Sequence, residues 1–124
     1  MSEKPQVNVP EGDPTGKQLG IVDIIDGNGE QAQAGQIAEV HYVGVSWNTG
    51  NEFDASWNRG QTFSFKLGGG QVISGWDQGV VGMRIGGRRE LTIPPALGYG
   101  SAGAGGVIGP NEHLIFVVDL VSLR

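Results

Sequence analysis

Phe53 and Asp54 are neighbours, so an aromatic ring stands beside a carboxylate. A carboxylate among aromatic groups needs a partner, because an unpaired charge is costly to bury. Arg59, five residues on, is the obvious one. Tyr42, Phe63, Phe65, Trp76, Tyr99 and Phe116 are spread over the rest of the chain. A shared core is the plain explanation for such a set, and for Phe65 it suffices. Tyr99 in a glycine-rich loop and Phe53 after a turn are unusual core members. With the charged pair they suggest a concave apolar pocket carrying a few placed polar groups.

Other chemistries find less support. Residues 98–103, GYGSAG, match the dinucleotide-binding pattern GxGxxG, which needs a strand before it and a helix after it. Two prolines precede the match and AGAGGVIGP follows, so it reads as a loop. DGNGE at Asp26 resembles the start of a calcium-binding EF-hand loop. Gln31 stands where that loop needs glycine and Ile37 where it needs glutamate, so a hairpin turn explains it better. The chain has no cysteine, and His41 and His113 lack the HxxxH spacing, so neither a metal nor another cofactor is expected. No GxSxG elbow occurs. A hydrolytic triad of Asp54, a histidine and a serine has nothing behind it.

The elements that must position these residues follow from periodicity. LGIVDIID from Leu19, QIAEVHYVGVSW, EFDAS, FSFKL, RRELTI and HLIFVVDLVSL read as strands. Ala38, Val40, Tyr42 and Gly44 share one face of the second. Phe63, Phe65 and Leu67 oppose Ser64 and Lys66 on the fourth. The last strand is apolar on both faces and is expected to be central. VISGWDQGVVGM, Val72 to Met83, reads as a short helix. Ile73, Trp76, Val80 and Met83 form its apolar stripe. Ser74 and Asp77 have capping-box-like spacing. Gly75, Gly79 and Gly82 form a second, bare stripe, which would let a neighbouring backbone approach. Each glycine costs about 0.8–1 kcal/mol of helix propensity, so packing must hold this helix. On helical spacing alone, Trp76 is better explained as a core plug than as part of a site. No strand–helix–strand alternation recurs, so an antiparallel sheet with the helix on one face is expected.

Composition narrows the class. A length of 124 residues suits one domain. The net charge of -5, with eight Lys plus Arg, argues against nucleic acid or an anionic membrane as partner. No apolar run approaches the ~18 residues of a membrane span, and the N-terminus lacks a signal-peptide core. A cytoplasmic protein is the expectation. Residues 1–17 carry three prolines, at Pro5, Pro10 and Pro14, and read as an extended or disordered lead-in.

EVHYVG, FDAS, FSFKLGGGQVISGWDQGVVGMRIGGRRELTIPPALGYG and LIFVVDL resemble the FKBP-type peptidyl-prolyl isomerases, which bind tacrolimus and rapamycin. The resemblance runs from about Gly20 to Leu123. It implies an α+β fold in which a twisted antiparallel sheet half-wraps one short helix, as a single domain over residues 18–124. It implies a pocket with Trp76 as floor and Tyr42, Phe53, Phe63, Val72, Ile73, Tyr99, Val107, Ile108 and Phe116 as walls. Asp54 and Arg59 match the family's charged pair. The N–H at Ile73 and the hydroxyl at Tyr99 would contact ligand carbonyls. Asp54, Trp76, Tyr99 and Phe116 would act at the reacting bond. Leu97 departs from the aromatic that many relatives carry two residues before the tyrosine.

The implied activity is rotation about X–Pro bonds in peptides and folding proteins, by a monomer that would also bind rapamycin or tacrolimus. The alternative on the same fold is a module that holds proline segments, as a chaperone would, without turning them over. Rotation faces a barrier of ~18–20 kcal/mol because amide resonance is lost. It needs no nucleophile, metal or proton transfer, which suits a chain with no recognisable acid–base pair.

Overall fold

Alternation builds the sheet. In FSFKL, Phe65 and Leu67 are buried while Ser64 and Lys66 are exposed. The computed structural model describes residues 3–10, 18–104 and 108–124. Among these, six strands form one antiparallel sheet: β1 (Gly20–Ile25), β2 (Ile37–Ser46), β3 (Glu52–Ala55), β4 (Phe63–Lys66), β5 (Arg88–Ile93) and β6 (Leu114–Leu123). The order is β1-β5-β6-β2-β3, with β4 also paired to β2. The last strand is central as expected, flanked by β5 and β2. The sheet wraps around one short helix, α1 (Ser74–Gly79).

Three local expectations are corrected. DGNG does not close a hairpin, because β1 pairs with β5 at the far edge rather than with β2. The connecting segment instead bonds along residues 83–85, with Gly29 N–H to the Ile85 carbonyl at 3.1 Å and Ala32 N–H to the Met83 carbonyl at 2.7 Å. The helix is shorter than the Val72–Met83 stretch. Gly82 has φ +91°, outside the right-handed helical region, and lies in the turn that follows. The capping box does not form either. Ile73 holds the N-cap with no side-chain cap bond. Asp77 turns to the preceding loop, where Oδ1 accepts from Gly68 N–H at 2.9 Å and Oδ2 from Gly70 N–H at 3.1 Å.

The bare stripe admits side chains rather than backbone. A Cβ on Gly75 would lie 2.7 Å from Ile93 Cδ1, and one on Gly79 would lie 2.6 Å from Leu91 Cδ2. Those two β5 residues are fully buried against the helix together with Trp76, Val80 and Met83. The weak propensity of α1 is thus exchanged for close contact with the sheet.

The free edge of β2 is shared. Ile37 to Val40 pair with β4, and Val43 to Val45 with β3. Between them the chain leaves the sheet as a 3-10 turn, Ser56–Arg59. Buried backbone donors need partners. The Ser56 hydroxyl, fully buried, accepts the Tyr42 N–H at 2.7 Å and so stands in for the missing strand. On the outer face, Val7 and Val9 of the lead-in pack with Trp57 over Val43, Val45 and Ala55.

Candidate functional site

The concave face holds a cavity of about 210 Å³. Its wall is assembled from seven parts of the chain. β2 supplies Tyr42, β3 supplies Phe53 and Asp54, and β4 supplies Phe63. The segment before α1 supplies Gln71, Val72 and Ile73, and α1 supplies Trp76. The loop after β5 supplies Tyr99, and β6 supplies Phe116.

Trp76 is 4 % exposed and sits at the centre of the aromatic group. Its ring lies 4.9 Å from that of Tyr42 at 78°, 5.3 Å from Phe116 at 88° and 6.1 Å from Phe63 at 74°. These are edge-to-face contacts, the favoured arrangement for aromatic pairs. Phe65 packs behind it at 5.6 Å and lines no part of the cavity, as the sequence suggested. The indole N–H of Trp76 is buried without a partner.

A bulge brings Phe53 and Asp54 to the same side. Simple alternation would send adjacent strand residues to opposite faces. Gly44 pairs with Asp54 and Val45 with Glu52, which leaves Phe53 as the extra residue on β3. Bulges re-aim side chains in this way. The result is the ring and the carboxylate together at one rim of the cavity.

The carboxylate is held at both oxygens. Tyr42 Oη donates to Asp54 Oδ2 at 2.6 Å, and Arg59 Nη1 donates to Oδ1 at 2.7 Å. Arg59 Nη2 also donates to Tyr42 Oη at 2.8 Å, closing a three-membered network. Burial is the largest single influence on the Asp54 carboxyl and pushes its pKa up. The hydrogen bonds from Tyr42 and Arg59, the guanidinium charge and the Ala55 N–H together outweigh it, so the pKa lies below the usual carboxylate value. Burial, then the Asp54 bond, raises the Tyr42 phenol. Burial, then the Asp54 charge, raises Tyr99. At neutral pH the site therefore presents one ionised carboxylate and two neutral phenols.

Most of the expected residues meet here, and some do not. Arg59 lies behind Asp54 and lines no part of the cavity. Ile108, expected in the wall, is buried in the same core cluster as Tyr42, Trp76 and Phe116, pairs by its backbone with Ala104, and is not among the residues lining the cavity. Val107 lies outside the described residues. Gln71 was not anticipated. Its carboxamide oxygen accepts the Lys66 N–H at 2.9 Å, and only its place directly before Val72 and Ile73 could have pointed to it.

The other groupings do not assemble on this face. His41 stacks on Trp57 at 4.1 Å on the outer face, with Nδ1 2.8 Å from Ser56 Oγ, so the sheet separates it from Asp54. His113 sits beside Trp47, with ring centroids 6.5 Å apart. Among the described residues, no group of three or more His, Asp or Glu is placed to hold a metal ion.

Known proteins share this sequence and fold. A family model described as FKBP-type peptidyl-prolyl cis-trans isomerase matches residues 28–121. An FK506-binding protein of Streptomyces anulatus is 62 % identical over 122 residues, covering 98 % of each chain. An FK506-binding protein of Neisseria meningitidis serogroup A is 50 % identical over 103 residues, covering 83 % of this chain and 94 % of its own. The crystal structure of AtFKBP13 superposes with a TM-score of 0.79 at 40 % identity, covering 86 % of this chain and 93 % of that one. On its sequence and its fold, the chain belongs to the family of FKBP-type peptidyl-prolyl cis-trans isomerases.

Proposed function

We propose that this chain accelerates cis–trans rotation about X–Pro bonds, and that the aromatic cavity over Trp76 is where it does so. The observation that carries the reading is a cavity walled by rings with a single ionised group at its rim, held by Tyr42 and Arg59. A planar amide carries partial negative charge on oxygen and positive charge on nitrogen. The twisted transition state is less charge-separated, so a site of low polarity favours it. Lowering the barrier by about 5 kcal/mol speeds exchange between a thousand- and ten-thousand-fold.

In this reading the proline ring rests on Trp76, between Tyr42, Phe63 and Phe116. Val72, Ile73 and Phe53 take the neighbouring apolar side chain. The Ile73 N–H and the Tyr99 hydroxyl hold substrate carbonyls. Asp54 faces the carbonyl that turns, and Tyr42 and Arg59 keep it in place. Proline-containing peptides and folding proteins are the substrates, met by a monomer. The printed names of the relatives say that those proteins bind FK506. They support a cavity that also takes macrolides of that class.

The test is exchange NMR on a short Leu-Pro peptide with and without micromolar protein, repeated with rapamycin present. Acceleration abolished by rapamycin is expected. Peptide binding without acceleration would replace this reading with the non-catalytic one. Neither binding nor acceleration would overturn both.

A further inference from the structure

Gly44 stands in the interior of β2, where a glycine weakens a strand because it has no side chain to pack. Its backbone does not require glycine, since Gly44 is not among the positive-φ glycines of the chain. The bulge beside it does not require one either, because the extra residue there is Phe53. Ala38, Val40 and Tyr42, the other β2 residues of this face, all carry buried side chains.

Two rings occupy the space that a side chain at Gly44 would take. A Cβ there would lie 2.7 Å from Phe116 Cε1, 2.7 Å from Phe53 Cζ and 3.0 Å from Phe53 Cε1. Carbon atoms in good contact stay about 3.5–4.0 Å apart. The rings meet edge to face with centroids 5.5 Å apart at 87°, and both line the cavity.

We infer that Gly44 is a positioning residue of the site: its missing side chain is what lets Phe53 and Phe116 close into one wall over β2. The inference rests on the proposed isomerase reading for what the wall binds, and on geometry alone for how the wall forms. The atoms in the way of a Cβ are the far ends of two rings, not backbone. An added methyl is therefore relieved by a ring swinging, not by the strand moving. Phe116 is buried in the sheet centre, whereas Phe53 is only partly buried on the edge strand. Phe53 is the ring that yields more, and the wall opens at its rim, while Phe116 Cε1, also 2.7 Å from the added carbon, gives less.

The test compares the wild type, Gly44→Ala, Phe53→Leu and the double variant. Leucine lacks the Cε1 and Cζ atoms that the new methyl would meet. Gly44→Ala is expected to lower kcat/KM for the Leu-Pro peptide by ~10-fold or more, as displacement of a positioning group does. The protein should stay folded, and the Phe53 ring resonances should move more than those of Phe116. In the Phe53→Leu background only the Phe116 Cε1 contact remains, so the same glycine change should cost clearly less activity and thermal stability than in the wild type. Equal penalties in the two backgrounds would overturn the inference, as would Phe53 resonances that do not shift. The ring shifts and the stability cycle need no turnover. A wild type inactive on the peptide therefore sinks the proposed function, while the assignment of Gly44 is still decided by those two measurements.

Discussion

Tyr42 donates its phenolic proton to Asp54 Oδ2 over 2.6 Å while accepting from Arg59 Nη2 over 2.8 Å. The phenol is thus a second link between the pocket carboxylate and the guanidinium behind it, beside their direct 2.7 Å bond. Tyr42→Phe keeps the ring against Trp76 and removes only this link. It is expected to lower kcat/KM roughly tenfold, equivalent to about 1.4 kcal/mol. Stability should fall by about 1–2 kcal/mol, because two hydrogen bonds to partly exposed charged groups are lost. Exchange NMR and urea denaturation on the same sample separate the two effects.

Ser56→Ala is expected to act on the fold. It leaves the Tyr42 N–H without its 2.7 Å acceptor at the break between β3 and β4. A buried donor left unsatisfied costs about 1–3 kcal/mol. The urea midpoint should drop accordingly, and the Tyr42 amide should exchange faster with solvent. An unchanged midpoint would mean that another group satisfies this donor.

Asp77→Ala should loosen the lip of the cavity. The carboxylate takes the N–H groups of both Gly68 and Gly70, just before Gln71, Val72 and Ile73. Hydrogen exchange at those two glycines is expected to rise. KM should rise more than kcat falls, because the segment binds rather than turns the substrate. Stability should fall by about 1–2 kcal/mol, toward the low end for bonds to a charged group because these are exposed.

Gly79→Ala sets two effects against each other. Helix propensity improves by about 1 kcal/mol. The new Cβ, however, would lie 2.6 Å from Leu91 Cδ2, in a site where Leu91 is fully buried. Overpacking of this kind costs about 1–3 kcal/mol. The expected result is a lower thermal midpoint despite a better helix former.

The pH dependence follows from the direction of each shift. Asp54 titrates below its ordinary 3.8 in the folded chain, so it is protonated less readily there than when unfolded. Its contribution to stability is complete above the unfolded value and is lost as pH falls through the folded one. Tyr42 and Tyr99 titrate above 10.0. None of the three changes charge between about pH 5 and 9. A kcat/KM profile free of any Asp54-dependent step in that range is expected. A step there that disappears in Asp54→Asn would contradict the arrangement.

Local pattern carried much of the fold. Alternation in FSFKL placed Phe65 inward, and the doubly apolar last strand marked β6 as central. Both are properties of a single strand facing one core or two. Pairing partners are not local, which is why DGNG read as a hairpin turn although β1 travels to the far edge of the sheet. Ser74 and Asp77 had the spacing of a cap. Whether Asp77 bonds its own helix or the Gly68–Gly70 turn depends on where that turn lies, and spacing carries no such information.

The site divides in the same way. By itself the sequence determined which groups were available: a ring beside a carboxylate, an arginine five residues on, and a tryptophan in a helix too weak to stand alone. Those are matters of residue type and short-range spacing, and the family resemblance added their roles. Tertiary structure alone decided that Phe53 and Asp54 face the same way, because the bulge depends on how β3 registers against β2. It decided too that Gln71 lines the cavity and that two rings fill the space above Gly44. Each of these is a contact between segments distant in the chain, and its geometry exists only once the sheet has closed around the helix.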